Sequence, residues 1–90
     1  MVVMILERVP VGLRGELSRW LIEPHPGVFL GHVSARVRDL LWEMCCDGSE
    51  GGGIIQMWSV NTEQRFEVRV HGEPRREVVE HEGLHLIRRR

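Results

Sequence analysis

The chain begins with an uninterrupted apolar segment, residues 2–6, that ends at the carboxylate of Glu7. A short run of β-branched and long apolar residues without polar alternation is typical of a strand buried on both faces. Pro10 follows at a position that suits the first turn of a helix, because the N–H that proline lacks is not needed there. The segment therefore predicts a buried strand that leads into a helix, with Glu7 at the carboxyl end of the strand.

Two amphipathic helices are predicted from apolar residues that recur every three or four positions. The apolar stripe of the first helix consists of Leu13, Leu17, Trp20 and Leu21. The stripe of the second helix consists of Val37, Leu40, Leu41 and Met44. Ser34 is placed to cap the N-terminus of the second helix. Residues 24–27 contain proline and glycine, and we expect them to end the first helix in a turn.

Further strands are predicted over residues 28–30, 54–60, 65–71 and 84–87. Residues 65–71 alternate strictly between apolar and polar side chains, which indicates a half-exposed strand. Residues 72–83 are polar and interrupted by proline, and they predict no element. Three side chains of the central strands are expected to be buried within the subunit or at a two-fold interface, namely Ile55, Met57 and Phe66.

The order of these elements favours an α+β fold in a single domain, residues 1–90. Two helices that cover one face of a mainly antiparallel sheet form a two-layer sandwich, and the ferredoxin-like arrangement is the common solution. A chain of 90 residues buries only about 60% of its unfolded surface. We therefore expect it to gain stability by association as a homodimer. The strand order is not determined by the pattern.

Length and apolar patterning also exclude some classes of protein. No apolar stretch approaches the roughly 18 residues of a membrane span, and the N-terminus lacks the basic region and cleavage site of a signal peptide. A cytoplasmic protein with no membrane partner is expected. The histidines share no spacing typical of zinc ligands. Cys45 and Cys46 are adjacent and are predicted to be reduced thiols near the end of a helix, because a bond between neighbours is strained.

The basic residues are more informative than the net charge of −1, which does not favour nonspecific binding of polyanions. All twelve basic residues are arginines. The planar guanidinium group suits bidentate contacts with phosphate, although the codon usage of a GC-rich genome would produce the same bias. The positions of the arginines therefore matter more than their number.

Four segments of the chain together resemble the CRISPR-associated "Cas-two" family in its type I-E form, the small subunit of the spacer-acquisition complex. They are the strand-to-helix passage of residues 1–23, the second helix with its cap at residues 31–44, the strand end at residues 57–63, and residues 74–76. The resemblance extends over nearly the whole chain. It implies a homodimer and a role in CRISPR adaptation, an antiviral defence.

For the function, the resemblance implies a non-catalytic scaffold. Such a homodimer bridges dimers of the Cas-one integrase and holds a double-stranded prespacer DNA for integration into the repeat array. Arginines at the positions of Arg14, Arg75 and Arg76 contact the DNA backbone in this family; the alternative is a solvated surface where they pair with nearby glutamates. The partner-binding residues that the resemblance implies are Leu84, Leu86 and Ile87.

The resemblance also leaves a catalytic alternative open, a Mg²⁺-dependent endonuclease that acts on single-stranded RNA or double-stranded DNA. In several members of this family an aspartate at the end of the first strand is held to bind Mg²⁺, with the two copies of a dimer facing each other. Glu7 occupies that position, at the dimer interface, as the candidate metal ligand and catalytic residue. Mg²⁺ prefers several oxygen ligands, and Glu7 has no acidic neighbour in the next few positions. The residue types therefore favour a structural or electrostatic role for Glu7, and the scaffold needs no cofactor. A toxin-like ribonuclease or an interaction module unrelated to CRISPR is a third alternative.

Overall fold

The structure, a computed structural model, describes residues 1–60 and 65–72, together with the backbone of residues 76–81 and 84–89. Two helices, α1 and α2, cover Val11–Leu17 and Ala35–Gly48. The strands are β1 Val2–Leu6, β2 Ile22–His25, β3 Val28–Gly31, β4 Ile54–Ser59, β5 Phe66–His71, β6 Arg76–His81 and β7 Leu84–Arg89.

Five of the strands form one antiparallel sheet in the order β2-β3-β1-β4-β5, while β6 and β7 pair as a separate hairpin. The buried strand β1 lies at the centre, with Val3 opposite Leu30 of β3 and Met57 of β4. Helix α1 connects β1 to β2, and α2 connects β3 to β4, which gives the ferredoxin-like β-α-β-β-α-β topology with β5 added beside β4. The predicted α+β two-layer fold is confirmed.

Both helices cover the same face of the sheet. On β1, the alternate residues Val2, Met4 and Leu6 are at most 4% exposed, and they belong to one core with Leu17 of α1 and Leu41 of α2. Because side chains alternate along a strand, Val3 and Ile5 lie on the opposite face, which no helix covers. The sheet therefore has a covered face, towards the helices, and an open face.

The N-terminal cap of helix α2 and the reduced state of its two cysteines agree with the sequence prediction. The Ser34 hydroxyl accepts a hydrogen bond from the N–H of Val37 at 3.2 Å and so caps the helix. Cys45 is buried and Cys46 half-buried, and both are free thiols. Burial raises the pKa of the Cys45 thiol to about 12, so this side chain acts as a small apolar core residue.

Two strands differ from the prediction. Strand β2 lies where the proline-containing turn was expected; it is an edge strand with an irregular register, where Pro24 is tolerated because an outward-facing N–H needs no partner. Strand β6 lies within residues 72–83, for which the sequence predicts no element. In both places the proline and polar residues give no strand pattern in the sequence, although each segment forms a strand that pairs with the next strand in a hairpin.

The apolar stripes are also shorter than predicted. Helix α1 ends at Leu17, so Trp20 lies beyond it and is 48% exposed, while Leu40 on α2 is 57% exposed. Leu13, Leu17 and Leu21 are buried as expected. No helix within the described part of the chain is long and apolar enough to cross a membrane.

The turn between β2 and β3 is fixed to the end of β1. Gly27 has a φ of +82°, and a Cβ atom there would lie 2.6 Å from the carbonyl oxygen of Leu6. The N–H of Leu6 donates to the carbonyl of Gly27 at 2.8 Å. Only glycine allows this close approach, which holds the turn next to the position of Glu7.

Candidate nucleic-acid interface

Glu7 lies directly after β1 and is tied to the glycine-rich connection that precedes β4. Its N–H donates to the carbonyl of Gly53 at 3.0 Å, and its Oε1 accepts from the N–H of Gly53 at 3.1 Å. These bonds continue the β1–β4 pairing by one residue. The carboxylate therefore orders the connection, a structural role for which the carboxylate needs no metal.

Glu7 alone supplies few of the ligands that Mg²⁺ prefers. Within residues 1–60 and 65–72, no group of three or more histidine, cysteine, aspartate or glutamate side chains is placed to hold a metal ion. Mg²⁺ favours several oxygen ligands in octahedral geometry, whereas Glu7 offers one carboxylate with Oε1 already bonded to Gly53. The catalytic and metal-binding roles of Glu7 remain predictions.

Arg14 lies on α1 and is held by Glu23 of β2. The Nε of Arg14 donates to Oε1 of Glu23 at 3.0 Å and to Oε2 at 3.3 Å. Oε2 of Glu23 also accepts the N–H of Gly27 at 2.9 Å. The bond from Gly27, and then the Arg14 guanidinium, hold the pKa of the Glu23 carboxyl below its usual range. This pairing crosses elements, and the sequence analysis did not find it.

The other predicted contact residues lie towards the C-terminus. Arg75 and the side chain of Arg76, whose backbone begins β6, fall outside the described residues. The three predicted partner-binding residues are on β7, where Leu84, Leu86 and Ile87 pair with β6. The hairpin approaches the main sheet at β5 through β7. The DNA-binding and partner-binding roles of these residues stay predictions.

A cluster of arginine and tryptophan, which the sequence analysis missed, lies on the covered face between α2 and strands β4 and β5. The guanidinium of Arg38 lies 4.0 Å from the ring centre of Trp58. Arg69 lies 4.9 Å from the ring of Trp42 and 5.0 Å from that of Trp58. Contacts of this kind between a cation and an aromatic face are attractive. The spacing of Arg38 and Trp42, four residues apart on one helix, was the available signal.

Asp39 compensates part of the charge of this cluster. Its Oδ1 accepts from Nη2 of Arg69 at 2.8 Å and from Nε of Arg38 at 3.2 Å. The bond from Arg69, followed by that from Arg38, lowers the pKa of the Asp39 carboxyl. The buried Gln56 completes the network, accepting from Nε of Arg69 at 2.7 Å and donating to the carbonyl of Arg38 at 3.0 Å. The network therefore holds α2 against the sheet.

The open face of the sheet is a second surface without a covering helix. The register places Met57 opposite Val3 and Val68, so these side chains share that face. Ile55 is 1% exposed and Met57 half-buried, as predicted, whereas Phe66 is 55% exposed. Phe66 is therefore not buried within the subunit, and its burial at a two-fold interface stays a prediction.

Comparison with known protein families gives a match over most of the chain. A family model described as CRISPR-associated protein (Cas_Cas2CT1978) matches residues 1–86. The matched range runs from β1 into β7 and includes Glu7, Arg14, Arg75 and Arg76.

Proposed function

Because this chain belongs to the CRISPR-associated protein (Cas_Cas2CT1978) family, we propose that it is a CRISPR adaptation protein of the type I-E form. It acts as a homodimeric, non-catalytic scaffold that bridges Cas-one integrase dimers and binds prespacer DNA for integration into the repeat array. Membership of this family excludes the alternative of a module unrelated to CRISPR.

The observation that carries the non-catalytic role is the double hydrogen bond between Glu7 and Gly53. The carboxylate accepts the Gly53 N–H at 3.1 Å, and within the described residues of one subunit it belongs to no group of three or more side chains that could hold a metal ion. A side chain engaged with the backbone in this way supports a structural function for the end of β1.

The proposed DNA contacts involve Arg14, Arg75 and Arg76. Arg14 supports the proposal because its side chain is 43% exposed on α1, where a duplex can reach it. Contacts from arginine to phosphate position a duplex without reading its sequence. Each phosphate neutralised adds about 0.9 to the dependence of log K on log salt concentration.

A second copy of this chain is the proposed occupant of the open face. Phe66 and Val70 on β5 are 55% and 44% exposed, and Ile22 on β2 is 64% exposed. These side chains lie on two edge strands around the half-buried Val3 and Met57. A face that is apolar from edge to edge favours a self-complementary contact, since small domains gain most from burial between subunits.

Integration of a spacer in vitro with the cognate Cas-one protein tests the proposal. We expect Glu7→Gln to integrate as well as wild type, because an amide oxygen can still accept the Gly53 N–H. The double variant Arg75→Glu with Arg76→Glu should bind DNA poorly and fail. A matched control is Arg19→Glu with Arg36→Glu, which changes the net charge equally at two exposed positions, one just after α1 and one on α2. Failure of Glu7→Gln while its complex with Cas-one and DNA still assembles would contradict the scaffold role.

A Mg²⁺-dependent endonuclease is the second candidate function, favoured by the exposure of Glu7 at the carboxyl end of β1. It is tested by incubating the purified protein with single-stranded RNA or duplex DNA and Mg²⁺. Cleavage that disappears both with chelator and with Glu7→Ala would favour the endonuclease over the scaffold.

A further inference from the structure

Arg14 is the proposed DNA contact whose side chain the structure describes, and it is bonded to a carboxylate. Its Nε donates to both oxygens of Glu23, at 3.0 and 3.3 Å. Within residues 1–60 and 65–72, every hydrogen bond recorded for the Arg14 side chain goes to Glu23. Arginine can bind an anion through its Nε edge or through its two Nη groups, and Glu23 occupies the Nε edge.

Glu23 is itself fixed in place. Its Oε2 accepts the N–H of Gly27 at 2.9 Å. Gly27 lies so close to the carbonyl of Leu6 that there is no room for a Cβ atom at this position. The Glu23 side chain is 18% exposed, compared with 43% for Arg14. The Glu23 carboxylate is therefore kept beside the Arg14 guanidinium by a backbone hydrogen bond and by partial burial, so its position does not depend on the rotamers of a freely exposed side chain.

A phosphate that approaches Arg14 meets a pair whose net charge is zero. It has to bind through the remaining Nη groups in the field of a nearby carboxylate, or it has to displace Glu23 from the Nε edge. Both routes reduce the contribution of Arg14 to binding, because like charges at short range repel. A neutral pair also adds little to counterion release.

We propose that Glu23 limits DNA binding by holding Arg14 in a charge-neutral pair, so that Arg14 contributes to phosphate affinity only when Glu23 is neutralised or displaced. This inference rests on the proposed DNA-binding function and names the residue that sets its strength. The effect would favour assembly with the integrase over binding of any duplex by the scaffold alone.

The neighbouring residue Glu16 provides a matched control. Glu16 lies on α1, as Arg14 does, and makes a looser ion pair, with its Oε2 3.6 Å from Nη1 of Arg19. The side chains of Glu16 and Arg19 are both at least half exposed. Glu16→Gln removes the same charge from α1 as Glu23→Gln removes from β2, but it leaves the Arg14 pair intact. A general electrostatic effect would make the two variants alike, whereas the proposed pairing makes them differ.

The experiment measures binding of a labelled duplex to the full chain by fluorescence anisotropy over a series of salt concentrations. We expect Glu23→Gln to bind about three- to tenfold more tightly than wild type, with a salt slope steeper by about 0.9 for each new phosphate contact. Arg14→Gln should abolish the gain of Glu23→Gln, and it should lower affinity more in the Glu23→Gln background than in the wild-type background. Glu16→Gln should give a clearly smaller gain.

The outcomes that overturn the inference differ from those that overturn the proposed function. The inference is overturned if Glu23→Gln binds the duplex no more tightly than wild type. It is also overturned if Arg14→Gln lowers affinity equally in the wild-type and Glu23→Gln backgrounds. In either case, salt-dependent binding of the duplex by wild type leaves the proposed function standing. No duplex binding by any variant overturns both. If Glu23→Gln unfolds, the NMR signal of the Arg14 Nε–H in wild type is decisive: it should stay in place when duplex is added, and a large shift contradicts the pairing.

Discussion

Glu7 and Gly53 exchange two hydrogen bonds, one through the backbone at 3.0 Å and one through the glutamate side chain at 3.1 Å. The second bond joins the end of β1 to the glycine connection before β4. It makes the carboxylate part of the pairing between β1 and the segment before β4.

Substitution of Glu7 separates its structural role from its charge. We expect Glu7→Gln to keep the free energy of unfolding near that of wild type, because the amide oxygen still accepts the Gly53 N–H. Glu7→Ala should lose about 0.5–1.5 kcal/mol, the usual contribution of one hydrogen bond. Urea denaturation measures both, and an equal loss in the two variants would show that the charge, not the bond, stabilises this end of the sheet.

Phe66→Glu tests the proposed two-fold contact on the open face. A charge at this 55% exposed position would be buried without a partner in a homodimer, so we expect the mass in sedimentation experiments to fall towards that of a monomer. Leu40→Glu is the matched control, since Leu40 is 57% exposed but lies on α2. A dimer that persists in Phe66→Glu and dissociates in Leu40→Glu would move the interface to the helices.

Gln56→Leu tests the network between α2 and the sheet. The leucine would leave the Nε of Arg69 and the carbonyl of Arg38 without the bonds that Gln56 makes at 2.7 and 3.0 Å. We expect a loss of about 1–3 kcal/mol in the free energy of unfolding. The double variant with Arg69→Met should lose less than the sum of the single variants, because the two side chains share a bond. Strict additivity in urea denaturation would contradict the network.

Acid should remove the stabilising effect of Asp39. The pKa of this carboxyl is lowered in the folded protein, mainly by its bond to Arg69, so its contribution is present above the ordinary value of 3.8 and is lost as pH falls through the lower folded value. The melting temperature of wild type should therefore exceed that of Asp39→Asn near neutral pH, and the difference should shrink below pH 3.8. A difference for Asp39→Asn that is constant with pH would contradict the assignment.

The sequence predicts the layers of this fold better than its edges. The apolar run at Val2–Leu6 forms the central strand, but it is fully buried on the helix side alone, since Val3 and Ile5 are half-buried. The periodic residues Leu13, Leu17 and Leu41 are buried. Strand β2 contains Pro24 in an edge position with an irregular register, so neither alternation nor composition reveals it. Its pairing with β3 depends on a turn that only Gly27 permits.

The sequence allowed individual residues of the candidate site to be predicted, but not the pairs that these residues form with other side chains. Glu7 and Arg14 stand out by their positions after β1 and on α1. Glu23, which holds Arg14, lies on the strand that the pattern misses, and so its role could not be inferred. Arg38 of α2 and Arg69 of β5 both donate to Asp39, an arrangement that requires the strand order, which periodicity does not supply.

The turn at Gly27 and the connection at Gly53 are both bonded to consecutive residues at the end of β1, Leu6 and Glu7. Loops of this kind usually open on their own, by small fluctuations that leave the core intact. Here the amide N–H of Gly27 donates to the Glu23 carboxylate and that of Gly53 to the Glu7 carboxylate. We therefore expect hydrogen exchange at these two glycines to be slower than at loop amides that donate to water, because two hydrogen bonds fix each of these segments to the end of β1 or to a carboxylate beside it.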